Sequence, residues 1–291
     1  MAVITGQQIT NYYDQYLNTE IAFTKEIIHT LALDPRQIYI KCAGSQWPCI
    51  VNSTSFTQAK IIVGTTGGAF QQLAQKNPPA ISLRYCFYQN DGQMMTFLIS
   101  GKVSSISSYA GGKDLAIINI QYSQKPPDDF IEKIGRLLDA NANAVKRKDD
   151  RIIINQDSCR KLGLPKAECV VTIQGVPRHC ILRDLAFSGA KVLLQGLPQF
   201  LINKEIIFSL EFEEPHEVIN LKGTITGATP VEGRKDIFSA NVEFSEESIS
   251  LSYKIHINNY LSTARKNDIA QADKNATSQM SEEDQARATG I

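Results

Sequence analysis

Two stretches of this chain, read one above the other, limit its fold more than any other feature. "CIVNSTSFTQAKIIVG" (49–64) and "CILRDLAFSGAKVLLQG" (180–196) place Cys49, Ile50, Phe56, Ala59 and Lys60 over Cys180, Ile181, Phe187, Ala190 and Lys191 at a constant offset. Farther on, "KDLAIINIQYS" (113–123) lies over "KDIFSANVEFS" (235–245), with Lys, Asp, Asn and Ser in register. Alternating apolar residues recur in any half-buried sheet, whereas matched polar positions do not. The chain therefore reads as one β-rich unit written twice. Its 291 residues suffice for two domains of ordinary size.

The local patterns fill in each copy. Ile9, Tyr12, Tyr13, Tyr16, Leu17 and Ile21 recur at helical spacing and predict a helix over 7–33, ended by Asp34-Pro35. Strand-like runs follow at 37–42, 47–51, 59–64, 80–88, 94–106 and 115–122, with a short helix at 68–75 and a hairpin turn at "NDG" (90–92). A helix is expected from about 128 to 140, opened by Pro126-Pro127 and the acidic Asp128 and Asp129. "DANANAVKRKDD" (139–150) has almost no large apolar residue and reads as a linker. The second copy runs through strands at 151–156, 167–175, 176–185, 190–196, 204–212, 218–228 and 236–244, then a helix at about 246–263. Residues 265–291 hold little to bury and read as a disordered tail. The domain reading is 1–138, a linker at 139–150, 151–264 and the tail.

Composition excludes several classes. The chain is 43 % hydrophobic and 21 % charged with zero formal net charge, which argues against a whole-protein grip on nucleic acid or anionic membrane. No apolar run nears the roughly 20 residues that span a bilayer, and the first twenty residues lack a secretory pattern. The six cysteines form no C-x-x-C pair, and a cytoplasmic location with reduced thiols is expected. His29, His179, His216 and His256 are isolated, so no metal site is expected. "GTTGG" (64–68) lacks the lysine of a phosphate loop, and no nucleophile elbow is present. Neither an enzyme nor a cofactor protein is indicated.

What remains is a charge run, Lys146 to Arg151, at the mouth of a strand. A charge run is ordinarily a solvated face. Here Arg147 and Arg151 form R-x-x-x-R, and thirty-three residues after Arg151 stands "DLAFSG", with Asp184 and Gly189. This two-part pattern over about 143–263 resembles the PilZ family, whose signature is R-x-x-x-R followed by [D/N]-x-S-x-x-G. The resemblance implies a mainly β fold of two tandem six-stranded PilZ-like barrels with flanking helices, the first a degenerate copy like those preceding PilZ modules in flagellar-brake and spirochaete proteins. It also implies binding of the bacterial second messenger cyclic di-GMP, a receptor role, and a protein partner, motility machinery being one candidate.

The residue types suit that ligand. Arginine holds phosphate oxygens in a two-pronged hydrogen bond and also bonds guanine O6 and N7. On an extended chain, residues four apart stand about 13 Å apart on one side. Asp184 can accept from a purine or orient an arginine, and Gly189 lets the backbone turn and approach the ligand. The signature serine falls on Ala186, with Ser188 nearby. The expected ligand set is Lys146, Arg147, Arg151, Asp184, Ala186, Ser188 and Gly189. In the first copy Ser53 and Gln58 replace Asp184 and Gly189, and no arginine pair precedes them. Two rivals stay open: an adaptor of the same fold without the ligand, and a nucleic-acid binder using the basic run, marked by steep salt dependence.

Overall fold

In the computed structural model, residues 5–89, 91–196 and 198–264 are described. The expected tail at 265–291 and Asn90 of the hairpin turn lie outside them. The chain divides into two compact units, the first ending at Asp139 and the second beginning at Ala140.

The first unit opens with α1 (Gly6–Tyr16), β1 (Ile21–Ala22) and α2 (Lys25–Thr30). The single helix expected over 7–33 is thus broken. The Thr24 side chain caps α2 by accepting from the Ile27 amide, and Ile21 leaves the helical register to pair with Thr54. The sheet comprises β2 (Tyr39–Cys42), β3 (Ser45–Pro48), β4 (Ile50–Thr54), β5 (Gln58–Gly64), β6 (Ile81–Tyr88), β7 (Met94–Ser108) and β8 (Leu115–Tyr122), with α3 (Gly68–Leu73) between β5 and β6. The order is β1-β4-β5-β8-β7-β6-β2-β3. The run expected as one strand at 47–51 divides at Cys49, whose amide donates to Ile38 and carries β3 into β4. Counted through that break, six strands wrap a core of Ile40, Ile61, Leu83, Tyr85, Phe87 and Ile118.

Helix α4 (Asp128–Lys146) closes the first barrel with Phe130, Ile134 and Leu138, all buried. It also runs through most of the segment expected to be a linker. Ala140, Ala142 and Ala144 are strong helix formers and need no large side chain to hold a helix, and Ala140 is fully buried.

The second unit has β9 (Ile152–Ile153), α5 (Gln156–Leu162), β10 (Glu168–Ile173), β11 (Val176–Leu185), β12 (Gly189–Gln195), β13 (Glu205–Glu213), β14 (His216–Val231) and β15 (Arg234–Phe244). Its ladder runs β10-β13-β14-β15-β12-β11, and β10 pairs β11 to close a six-stranded barrel, with β9 added outside β11. The strand expected over 151–156 shrinks to two residues because Asn155 and Ser158 form a reciprocal capping box that starts α5. After a 3-10 turn, Glu246–Ser248, the helix at 251–264 buries Tyr253, Ile257 and Leu261 in the barrel.

The two units repeat at backbone level. A shift of 131 residues carries Ile21↔Thr54 onto Ile152↔Leu185, and the bulge between Val51 and Ser53 onto that between Leu182 and Asp184. The same shift carries cap Thr24 onto cap Asn155. It carries the positive-φ pair Ala43-Gly44, at 47° and 79°, onto Gln174-Gly175, at 52° and 79°. A primed two-residue turn joins the first hairpin of each barrel, and glycine suits its second left-handed position.

Candidate functional site

The segment carrying the two arginines is not extended. The Arg147 amide donates to Asn143 and the Asp150 amide donates to Arg147, so 147–150 forms a tight turn continuing from α4. The 13 Å extended spacing expected for the arginine pair therefore does not hold. The cause lies in the acids inside the basic run: Arg147 Nε donates to Asp150 Oδ2 at 2.6 Å and draws the turn closed.

Arg151 follows, at the entry to β9. Because β9 pairs with β11 at Asp184↔Ile153, Arg151 is brought beside Asp184, and its Nη1 donates to Asp184 Oδ1 at 2.7 Å. The Asp184 side chain is 11 % exposed and that of Arg151 is 42 % exposed. A carboxylate this covered needs its charge partner. Of the two roles open to Asp184, the structure shows the salt bridge. The bulge on β11 just before Asp184 accommodates the added β9 and turns the strand at this point.

After Asp184 the chain makes a turn whose ends are tied: the Ala186 amide donates to the Gly189 carbonyl. Ala186 is fully buried, and its own carbonyl accepts from Tyr253 Oη at 2.6 Å. Burial holds the Tyr253 phenol well above its ordinary pKa, so it stays a hydrogen-bond donor. This tie between the signature turn and the closing helix has no local sequence signal. Ser188 points to the arginine segment: its Oγ donates to Asp149 Oδ1 at 3.0 Å and its amide to the Lys148 carbonyl. The Lys148 ammonium pairs with Glu246, which raises its pKa mainly through that hydrogen bond.

Gly189 is required for a reason other than a sharp turn. A Cβ there would sit 2.2 Å from the Val242 carbonyl oxygen, so the close approach of β15 to β12 excludes any side chain. Lys146 is exposed in the last turn of α4.

The structure thus brings 148–151 and 184–189 onto one face of the second barrel. It ties them by the Arg151–Asp184 and Ser188–Asp149 contacts. Asp149 and Asp150 were visible as charges in the sequence but not as partners, because pairing depends on the turn that they help to form.

Comparison with known proteins agrees with this architecture. Residues 7–141 match the PilZN3 domain and residues 146–262 match the PilZ domain. A protein of Treponema denticola named "Cyclic di-GMP binding protein" is 43 % identical over 268 residues, covering 91 % of this chain and 85 % of its own length. The chain belongs to the PilZ family. Among solved structures, the Borreliella burgdorferi PlzA protein in complex with c-di-GMP is 24 % identical, covering 87 % of this chain and 98 % of its own, with a TM-score of 0.39. Escherichia coli YcgR in complex with c-di-GMP is 11 % identical, covering 94 % and 99 %, with a TM-score of 0.31.

Proposed function

We propose that this protein is a cyclic di-GMP receptor and that its second unit binds the ligand on the face formed by 146–151 and 184–189. The observation that carries this reading is the Arg151–Asp184 pair. A buried carboxylate holds one nitrogen of a half-exposed guanidinium, whose other N–H groups have no hydrogen-bond partner among the described residues. Arg147 is anchored in the same manner, through Nε alone. Two arginines pre-set by one hydrogen bond each match a ligand with two phosphates and two guanines. The name of the Treponema denticola relative supports the same ligand.

Ala186 supplies no hydroxyl, and its fully buried place offers the ligand only backbone. The missing contact weakens binding by about two- to tenfold, the value of one neutral hydrogen bond of roughly 0.5–1.5 kcal/mol. The same residue favours a second reading, an adaptor that works through protein contacts alone. In the first reading, ligand binding draws on the donors of the 147–150 turn and thereby changes the disposition of the units and their contacts with a protein partner.

Calorimetric titration of the full chain tests the proposal. Saturable binding of cyclic di-GMP, with GTP and cyclic GMP far weaker, is the expected outcome. No heat and no competition at high ligand concentration would leave the adaptor reading. Scattering profiles that are identical with and without saturating ligand would remove the conformational output.

A further inference from the structure

One row of ladder partners crosses the outer face of the second barrel: Ile153, Asp184, Lys191, Asn241 and Gly227. Side chains at paired positions leave the same face of the sheet about 5 Å apart, so the row starts at the Arg151–Asp184 pair and leads away from it. Lys191 and Asn241 are exposed, and neither side chain has a hydrogen-bond or ion-pair partner among the described residues.

The first unit carries the matching row: Ala22, Ser53, Lys60, Asn119 and Ser105. The lysine and the asparagine recur, but there both are engaged. Lys60 Nζ lies 2.8 Å from the Glu20 carboxylate, which also accepts from Ser53. Asn119 Nδ2 donates to Ser105 Oγ at 2.7 Å. The second unit replaces both partners. Arg151 stands where the first has Glu20, and Gly227 stands where the first has Ser105. The space at Gly227 is open, since a Cβ there would find its nearest neighbour, Asn241 Nδ2, at an ordinary 3.6 Å. An ammonium and a carboxamide are therefore released beside the arginine site in the one unit and tied down in the other.

We propose that Lys191 and Asn241 are further ligand-binding residues of the second unit. Lys191 neutralises a phosphate, and the Asn241 carboxamide hydrogen-bonds the polar edge of the neighbouring base. The assignment rests on the cyclic di-GMP reading above. It extends the site along β12 and β15, beyond the arginines and the 184–189 turn.

The experiment is calorimetric titration of cyclic di-GMP into the full chain at several salt concentrations, with Lys191→Met, Asn241→Ala and Gly227→Ser. Lys191→Met is expected to weaken binding about tenfold and to make its salt dependence shallower, as the loss of a charged contact requires. Asn241→Ala is expected to weaken it about two- to tenfold. Gly227→Ser restores the first unit's partner and should capture the carboxamide, weakening binding about as much as Asn241→Ala. The Gly227→Ser/Asn241→Ala pair should lose no more than either alone, because both act on one group. Circular dichroism confirms that these surface variants are folded. If wild type binds and Lys191→Met or Asn241→Ala stays within twofold of it, that residue is struck from the site while the receptor reading stands. If wild type does not bind, the receptor reading fails and this proposal fails with it.

Discussion

Arg151 and Glu20 occupy the same place in two copies of one fold, and they carry opposite charge. Each enters the short strand added outside the barrel, and each meets the residue after the same bulge, Asp184 in one unit and Ser53 in the other. In the second unit a cation rests on a covered acid with donors to spare. In the first an acid is neutralised by Lys60, and the group that would attract a phosphate is gone. Arg147 has its counterpart in Tyr16, which is buried and donates to Asp139. The comparison teaches that a barrel can keep the bulge, the helix cap and the first hairpin turn around this position while its surface chemistry is reversed by a few residues. The charge can be exchanged at this place because the Arg151 and Glu20 side chains stand outside the core, whereas Ala186 and Gly189 are held by packing.

The most drastic way to break the comparison is to give the second unit the first unit's charge. Arg151→Glu places an acid beside the covered Asp184. Cyclic di-GMP binding by the full chain should fall by more than about a hundredfold, since a charged contact worth about 1.5–3 kcal/mol is replaced by repulsion. Residual saturable binding of near wild-type affinity in this variant would mean that the first unit holds a site.

Next in size is Gly189→Gln, which installs the residue that the first unit has as Gln58. In the first unit the strands accommodate it. In the second its Cβ would lie 2.2 Å from the Val242 oxygen, and overpacking of this kind costs about 1–3 kcal/mol. Thermal unfolding should show a lower midpoint for the second unit alone. An unchanged midpoint would show that β12 and β15 separate easily, contrary to the packing argued here.

Tyr16→Phe probes the first unit at the Arg147 position. It removes the hydrogen bond to Asp139 and should lower stability by about 0.5–1.5 kcal/mol in denaturant titration, without altering ligand affinity. A changed affinity would show that this position is coupled to the site.

The smallest effect concerns acid. The Glu20 carboxyl is held below its ordinary pKa, first by the hydrogen bond from Lys60 and then by that from Ser53. A depressed carboxyl contributes stability that is present above its unfolded value of about 4.3 and lost as pH falls through its folded value. The first unit of wild type should therefore lose stability from about pH 5 downward, and Glu20→Gln should flatten that slope. Equal slopes in the two proteins would show that the Lys60–Glu20 pair is too solvent-screened to matter.

Much of this was legible in the sequence, and particular residues show why. Cys49/Cys180, Phe56/Phe187 and Lys60/Lys191 exposed the duplication, because strand periodicity and matched polar positions are local properties of the chain. The arginine pair and Asp184 were visible as residue types at a spacing. Helix boundaries were less so. Alanine and asparagine at 140–144 look like a linker until something packs on them, and Ile21 looks helical until β4 offers it a partner.

The sequence by itself determined two mainly β units, their strand patterns, and the list of charged residues available for a site. Only the tertiary structure decided which charges meet. It set Arg151 on Asp184 through the β9–β11 register, closed 147–150 into a turn, and placed Glu20 where Arg151 would be. It also left Lys191 and Asn241 without side-chain partners among the described residues while tying Lys60 and Asn119. The physical reason is that propensity and periodicity act between near neighbours. Ion pairing and hydrogen bonding across a barrel depend on strand register, which is fixed by burial of the whole core.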